Sequence, residues 1–95
     1  MSIEIGRFTE EDIPFGKELS DAEEWYRNIP DWKRLLRLEP GGFFKAWLDG
    51  DDAGIIGSVR YDRVAWINSL IVRKNFQERG VGKALMEHCL DHAIG

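Results

Sequence analysis

Two closely spaced glycines, Gly80 and Gly82, are the residues whose type and spacing most clearly indicate chemistry in this sequence. They follow an apolar run and a short charged connection, and a helix-forming segment comes after them. Glycine lets a backbone approach a bound group closely because it has no Cβ. The first N–H groups of a helix have no partners within the helix, and the helix dipole places partial positive charge there. The pattern therefore predicts an anion-binding turn at the start of a helix.

The charges around these glycines favour the same kind of site. Residues 73–83 contain one acid, Glu78, and four basic residues, which are Arg73, Lys74, Arg79 and Lys83. The chain as a whole carries a net charge of −4. An acidic protein has concentrated positive charge beside its glycine turn, which favours a phosphate as the bound anion.

Two common phosphate motifs do not fit this turn. A Walker A loop requires glycine at the place of Gln77 and Ser or Thr at the place of Ala84, so the ligand for a magnesium nucleotide is missing. A Rossmann fingerprint requires Gly or Ala at the place of Leu85, and too little chain follows for its ribose-binding acid. A plain strand-to-helix corner is the alternative interpretation, but it leaves the basic cluster and the position of Gln77 unexplained.

The elements that position the turn are indicated by hydrophobic spacing and turn residues. Strands are predicted over residues 3–8, 43–48, 53–61 and 64–72, and helices from residues 9–12 toward residue 20, over residues 31–38 and over residues 80–94. Asp49 and Gly50, between two apolar runs, predict a hairpin. The last strand is apolar on both faces, which is typical of a central strand covered on both sides. The order is strand, two helices, three strands and a helix, so the fold class is α+β (mixed α/β).

The segment from the last strand into the last helix resembles the acetyl-CoA motif of the GCN5-related N-acetyltransferase (GNAT) family. The resemblance consists of Leu70 and Val72 in the strand, four further residues, and then Gln77, Gly80 and Gly82 before an Ala-Leu helix. In that family the backbone amides of the loop hold the pyrophosphate, and the main chain at the end of the strand contacts the pantetheine arm. The resemblance implies that Leu70, Ile71 and Val72 meet pantetheine. It implies that Gln77, Arg79, Gly80, Val81, Gly82 and Lys83 surround the pyrophosphate.

The predicted element order, β-α-α-β-β-β-α, is similar to the first half of the GNAT fold. The resemblance therefore implies that residues 1–95 form a partial acetyl-CoA-binding domain, truncated after the pyrophosphate-binding helix. A weaker likeness upstream points to the YitH-like branch of the family. It consists of Trp25, Asp31, Trp32, Leu35, Leu36, Leu38, Pro40 and Gly42. Members of that branch carry Gly-Trp-Asn where this chain has Glu24, Trp25 and Tyr26.

In the GNAT fold another strand follows the pyrophosphate-binding helix. The resemblance implies that the strand ending at Val72 splays from this neighbour and that the cofactor lies in the gap. We therefore expect an open sheet edge on that side of this chain. Open edges pair readily with another chain, so a homodimer through this edge is a prediction. The tyrosine that often protonates the leaving thiolate in the family also belongs to the later part of the fold.

The function that the resemblance implies is transfer of an acetyl group from acetyl-CoA to a primary amine of a small molecule or protein. Such a reaction needs a base for the ammonium group and a donor that polarises the thioester carbonyl. The strand that often supplies the base offers only Trp66, Asn68 and Ser69, none of which is a good base. The carboxylates Glu23, Glu24 and Asp62 are weak candidates, so the catalytic residues stay unknown. A non-catalytic module that binds acyl-CoA as a sensor is the alternative.

Length and composition exclude several other classes of protein. The chain has 95 residues, enough for one domain, with 43% hydrophobic and 12% aromatic residues, which argues against disorder. Its acidity, with a pI near 5.1, excludes bulk electrostatic binding to nucleic acid or an anionic membrane. No apolar run approaches the ~18 residues of a membrane span. The chain also has no signal-peptide core.

Cysteine and histidine usage gives the remaining expectations. The single cysteine, Cys89, forms neither an internal disulfide nor a zinc cluster, so a cytoplasmic location is predicted. His88 and His92 have metal-ligand spacing but no visible third ligand, so no metal is expected. Most of the tryptophans are expected in the core, with Trp66 also a candidate for the acceptor cleft.

Overall fold

The computed structural model describes residues 2–23, 28–39 and 41–94. Its strands are β1 (Ile3–Arg7), β2 (Phe43–Leu48), β3 (Asp51–Tyr61) and β4 (Val64–Val72). Its helices are α1 (Ile13–Ala22), α2 (Ile29–Leu38) and α3 (Val81–Ile94), with short 3₁₀ turns at Glu10–Asp12 and Lys74–Phe76. The predicted α+β class and the predicted order of elements are confirmed.

The four strands form one antiparallel sheet in the order β1-β2-β3-β4. The hairpin between β2 and β3 is the one that the sequence predicts. Leu48 is paired with Asp51, so the loop has two residues, and both Asp49 (φ 52°) and Gly50 (φ 89°) are left-handed. Two successive left-handed residues make the type I′ turn whose twist matches that of the flanking strands.

The sheet separates two hydrophobic clusters. On one face α1 and α2 pack on a cluster that includes Phe8, Trp32, Phe43, Ile55 and Ile71. On the other face α3 packs on a cluster that includes Phe44, Ala46, Ile56, Val81, Leu85 and Cys89. The side of α3 predicted to be buried is therefore buried at Val81, Leu85 and Cys89. The sheet is covered by helices on both faces, which fixes α3 relative to the end of β4.

Local capping explains where the first two helices begin. The amide of Thr9 donates to Oδ2 of Asp12 (2.9 Å), and this contact closes the 3₁₀ turn that leads into α1. Helix α2 begins at Ile29, two residues before the predicted start. The reason is that Asn28 caps it: the side-chain oxygen of Asn28 accepts from the amide of Asp31 at 2.9 Å.

The prediction of β4 as a central strand is wrong for the described part of the chain, although the end of β4 is covered on both faces, with Ile71 in one cluster and Val72 packed against the other. β4 is the last strand in the order of the sheet, and its far edge has no described partner. Val64 is 52% and Trp66 61% exposed, so more than half of each residue's surface is open to solvent. Trp66 is therefore not a core residue. Trp32 is fully buried as predicted, whereas Trp25 lies outside the described residues.

Candidate functional site at the end of β4 and the start of α3

The connection between β4 and α3 is folded back onto the end of the strand. The amide of Arg73 donates to the carbonyl of Ala53 (2.8 Å), and the amide of Phe76 donates to the carbonyl of Arg73 (2.9 Å). The side-chain amide of Gln77 donates to the carbonyl of Val72 at 3.0 Å. Gln77 thus ties the middle of the connection to the strand that precedes it. This contact gives a physical reason for glutamine at that position: it fixes the shape of the turn.

The start of α3 presents free backbone amides. The first helical hydrogen bond runs from the amide of Ala84 to the carbonyl of Gly80 (3.0 Å). The N–H groups of Val81, Gly82 and Lys83 precede that bond and therefore have no partner within the helix. Glu78 (φ 64°) and Gly80 (φ 85°) both adopt left-handed backbone, and these two residues turn the chain into the helix. The geometry that the glycine spacing predicts, a strand, a tight turn and a helix start, is confirmed.

The space around Gly82 shows that packing inside the protein does not require a glycine there. A Cβ at Gly82 would have Cγ2 of Val72 as its nearest neighbour, at an ordinary contact distance of 3.6 Å. Gly54, by contrast, is required by packing, because a Cβ there would lie 2.8 Å from the carbonyl oxygen of Ile71. The missing side chain at Gly82 instead keeps the outer surface of the turn open. A phosphate group fits such a surface because amides can approach it closely.

Three of the four basic residues around the turn are exposed. They are Lys74, Arg79 and Lys83, and the distance from Lys83 to the carboxylate of Glu87 is a long 4.0 Å. Arg73 differs, because its guanidinium points back toward α1 and contacts Glu18 at 3.2 Å. The positive charge predicted beside the glycines is thus supplied by the residues that follow Arg73.

The end of β4 carries a bulge that the sequence does not predict. Ile71 pairs with Ile55, yet Asn68 pairs with Gly57, so β4 has one residue more than β3 over this stretch. Ser69 takes up the extra length with a left-handed φ of 61°, and its hydroxyl donates to the side-chain oxygen of Asn68 at 2.8 Å. A bulge leaves main-chain groups outside the ladder and often lies next to an active site. A serine in a strand gives no signal of such a conformation.

A cavity of about 200 Å³ lies beside the end of β4 and is closed on its other side by α1. Its lining residues are Glu18, Leu19, Ala22 and Glu23 from α1 and its C-terminal end, and Ile71, Val72, Arg73 and Lys74 from β4 and the connection. Ile71 is buried, and Leu70, the preceding residue, is 36% exposed. A second, polar cavity of about 400 Å³ is lined by Asp51, Asp52, Arg73, Asn75 and Phe76.

Of the three carboxylates considered as candidate bases, the two that are described differ in their distance from the end of β4. Glu23 lines the 200 Å³ cavity. Asp62 lies in the turn before β4, so the length of the strand, roughly 30 Å at 3.3 Å per residue, separates it from Val72. Glu24 lies outside the described residues. Only Glu23 of these three is described next to the end of β4.

The cysteine and the histidines have structural contacts. Burial raises the pKa of the Cys89 thiol, and a hydrogen bond with Ser58 partly opposes that rise. His88 and His92 pack edge-on against Phe44, with ring centroids 4.6 and 5.3 Å apart. The described residues contain no group of three or more His, Cys, Asp or Glu side chains placed to hold a metal ion. They also contain no helix long and apolar enough to cross a membrane.

The strand, bulge, glycine turn and helix start can be compared with known proteins. The family model of the acetyltransferase (GNAT) family matches residues 6–95. The chain belongs to the GNAT family. The family predicted from the residues around Gly80 and Gly82 is thereby confirmed. The YitH-like branch stays a prediction, and Trp25 and Pro40, two of the residues that suggested it, lie outside the described residues.

Solved structures give the same fold. Ard1 from Thermoplasma volcanium is 26% identical, with a TM-score of 0.89 over 98% of this chain and 64% of that chain. Rv2747 from Mycobacterium tuberculosis, in complex with CoA and NLQ, is 20% identical, with a TM-score of 0.81 over 95% of this chain and 57% of that chain. N-acetylglutamate synthase from Neisseria gonorrhoeae, complexed with coenzyme A and N-acetyl-glutamate, is 22% identical. Its TM-score is 0.82 over 100% of this chain and 23% of that chain.

The chain therefore spans less than two thirds of the length of these solved structures. Comparison with the sequences of curated proteins gives no significant match.

Proposed function

We propose that this GNAT chain binds acetyl-CoA at the turn between β4 and α3 and acts as an N-acetyltransferase on a primary amine. The observation that carries the proposal is Gly82, where the fold has room for a side chain and the sequence has none. The unpaired amides at the start of α3 lie at the same place and suit a pyrophosphate. Family membership supports the same activity, and Rv2747, which has this fold, was solved in complex with CoA.

The proposed binding residues divide into two groups. The pyrophosphate is held by the segment that contains Gln77, Arg79, Gly80, Val81, Gly82 and Lys83. In this group the backbone N–H groups and the exposed cations make the contacts, while the Gln77 side chain stays on the carbonyl of Val72. The pantetheine arm is held along Leu70, Ile71 and Val72, whose far edge has no described strand beside it.

In the proposed reaction the amine attacks the thioester carbonyl, the C–S bond breaks, and the leaving thiolate takes up a proton that the attacking nitrogen loses. The protein binds and orients both substrates and takes the first proton from the ammonium group. Bound acetyl-CoA supplies the acetyl group as a thioester. We propose Glu23 as the base that takes the proton of the ammonium group, because it lines the cavity beside Ile71 and Val72. The acceptor is a primary amine of a small molecule or protein.

Thermal unfolding with and without acetyl-CoA tests the binding. At a hundredfold excess over Kd, a ligand specific to the folded state adds ~2.7 kcal/mol to the free energy of unfolding. For a domain of this size each kcal/mol raises Tm by about 4–8 °C. A rise in Tm of roughly 10 °C or more is expected. A cooperative transition with the same Tm at millimolar acetyl-CoA would refute binding by this chain.

A turnover assay separates the enzyme from a non-catalytic acyl-CoA sensor. Release of free CoA thiol is followed with a panel of primary amines, and Glu23→Gln is expected to lower kcat by about 10²-fold or more. Binding of acetyl-CoA without amine-dependent thiol release would favour the sensor. Cys89 is buried, so it should add little to the thiol signal while the protein is folded.

We also propose that two copies of the chain pair through β4. The support is the open edge of β4 together with the exposed apolar side chains of Val64, Trp66 and Leu70 on that strand. An exposed apolar edge strand offers unpaired main-chain groups to a second chain.

A further inference from the structure

Arg73, the first residue after β4, does not face the proposed pyrophosphate turn. Its Nη1 lies 3.2 Å from Oε1 of Glu18 in α1, and its Nε donates to the carbonyl of Asp52 at 3.0 Å. The guanidinium also lies 5.0 Å from the ring centroid of Phe15. Three different contacts therefore fix the side chain at the joint where the strand becomes the turn.

A second cation, Lys45, contacts some of the same residues as Arg73. Nζ of Lys45, in β2, lies 2.9 Å from Asp52 and 3.1 Å from Asp12, and its side chain is only 10% exposed. It also lies 5.3 Å from the centroid of Phe15, so both cations contact the same ring. Burial alone would lower the pKa of Lys45, but hydrogen bonds to Asp52 and Asp12 outweigh it and raise the pKa. Arg73 thus rests on a charged network that joins α1 to the sheet.

We propose that Glu18 and Arg73 are positioning residues, which hold the CoA-binding turn in its binding conformation against α1. This inference rests on the proposed function. Exposed ion pairs add little to stability, and Glu18 is 59% exposed, so stabilisation of the fold is a weak explanation of the pair. The position of the pair, where β4 ends and the turn begins, gives a better explanation. A ligand that binds only one conformation of a turn loses affinity in proportion to the population of that conformation.

The pair also lines the cavity that contains the proposed base, Glu23. Arg73 lines both the 200 Å³ and the 400 Å³ cavity, and Glu18 lines the smaller one. The pair therefore forms the wall that joins α1 to the start of the turn. Movement of the turn away from α1 would widen the space beside Ile71 and Val72.

The test uses Glu18→Gln and Arg73→Gln in two measurements. Hydrogen exchange of the ligand-free chain should become faster at the hydrogen-bonded amides within residues 73–83, those of Arg73 and Phe76 above all, and stay unchanged in β2. Calorimetric titration with acetyl-CoA should give a Kd about 2- to 5-fold higher, the size of effect expected from a partly exposed ion pair. The double variant should bind no more weakly than Arg73→Gln alone, because both changes remove the same contact.

A matched control is available on the same helix. Lys17 and Asp21 of α1 form an ion pair of 2.7 Å that does not reach the turn, so Lys17→Gln should change neither measurement. Unchanged exchange at residues 73–83 in both Glu18→Gln and Arg73→Gln would overturn the inference. So would an unchanged Kd in both variants when the wild type binds. If the wild type does not bind acetyl-CoA, the proposed function fails, and the exchange measurement still decides whether the pair holds the turn.

Discussion

At the scale of single residues, a substitution of Gly82 is expected to weaken ligand binding without weakening the fold. Gly82→Ala adds a Cβ that meets only Val72 at 3.6 Å, and alanine is the better helix former. We expect the variant to be as stable as the wild type or up to about 1 kcal/mol more stable. Its affinity for acetyl-CoA should fall at least tenfold, about 1.4 kcal/mol, because the methyl group occupies the surface proposed for the pyrophosphate. Urea unfolding and calorimetric titration measure the two effects.

Gly41→Ala is the matched control for this substitution. A Cβ at Gly41 would also have its nearest neighbour at 3.6 Å, the ring of His92, and it lies away from the turn. Its affinity for acetyl-CoA should equal that of the wild type. Wild-type affinity in Gly82→Ala would contradict the assigned role of Gly82.

Lys45 gives a prediction on the pH dependence of stability. Its pKa is raised, because hydrogen bonds to Asp52 and Asp12 outweigh the effect of burial. The stabilisation is therefore complete below the ordinary lysine pKa of about 10.4 and is lost as the pH rises through the higher pKa of the folded state. Lys45→Met should lower the free energy of unfolding by about 1–3 kcal/mol at pH 8. The difference in the free energy of unfolding between this variant and the wild type should be smaller at pH 11, as measured by urea unfolding at both pH values. A difference of the same size at pH 8 and pH 11 would contradict the prediction.

At the scale of elements, the hairpin and the helix start were predictable because local residues determine them. Asp49 and Gly50 supply the two left-handed positions of a type I′ turn, and Gly80 supplies another before α3. The cap of α2 was equally local, yet Asn28 lies three residues before the first residue of the predicted helix, so the prediction began too late. The strand, turn and helix start of the candidate site were therefore accessible from sequence, and the family that they indicate is confirmed.

Other features depend on contacts between residues far apart in the chain. Lys45 lies in the middle of an apolar strand, and nothing near it in sequence indicates that Asp12 and Asp52 neutralise it. Arg73 has basic neighbours in sequence, so charge counting assigned it to the glycine turn, while Glu18 holds it in the fold. Sequence spacing predicts helices, strands and turns, but it does not predict which distant partner a charged side chain meets.

The bulge in β4 gives a prediction at the scale of this strand. Ser69 has a φ of 61°, which glycine adopts freely and β-branched residues adopt at a cost of about 1–2 kcal/mol. Ser69→Gly should therefore keep the wild-type stability within about 0.5 kcal/mol, while Ser69→Val should be clearly destabilised. Thermal unfolding of both variants tests this. Equal stability of Ser69→Val and wild type would mean that the residue does not need its left-handed conformation.

At the scale of the whole molecule, the exposed edge of β4 predicts self-association. Sedimentation equilibrium should show dimers, and Trp66→Lys should shift the population to monomer, because a charge on an edge strand opposes pairing. Leu38→Lys is the control: Leu38 is 53% exposed on α2, away from this edge, so the dimer should persist. A wild-type chain that stays monomeric at millimolar concentration would contradict pairing through β4.

In the whole molecule, contacts with two different helices hold the two ends of the proposed acetyl-CoA site, and these contacts are the two supports of the site. Helix α3 is fixed to one face of the sheet by Val81, Leu85 and Cys89, and the start of the turn is fixed to α1 by Arg73. The open side of β4 lies between these supports in the described chain. These contacts hold the turn proposed for the pyrophosphate on both of its sides.

The central claim is that acetyl-CoA binds at the turn between β4 and α3, and amide chemical shifts test it most directly. A ¹⁵N-labelled sample is titrated with acetyl-CoA, and the shift of each backbone amide is followed. The account predicts the largest changes at residues 77–83, smaller changes at residues 70–73, and little change in α2. Changes centred on another surface, or no changes at millimolar acetyl-CoA in a folded sample, would contradict it.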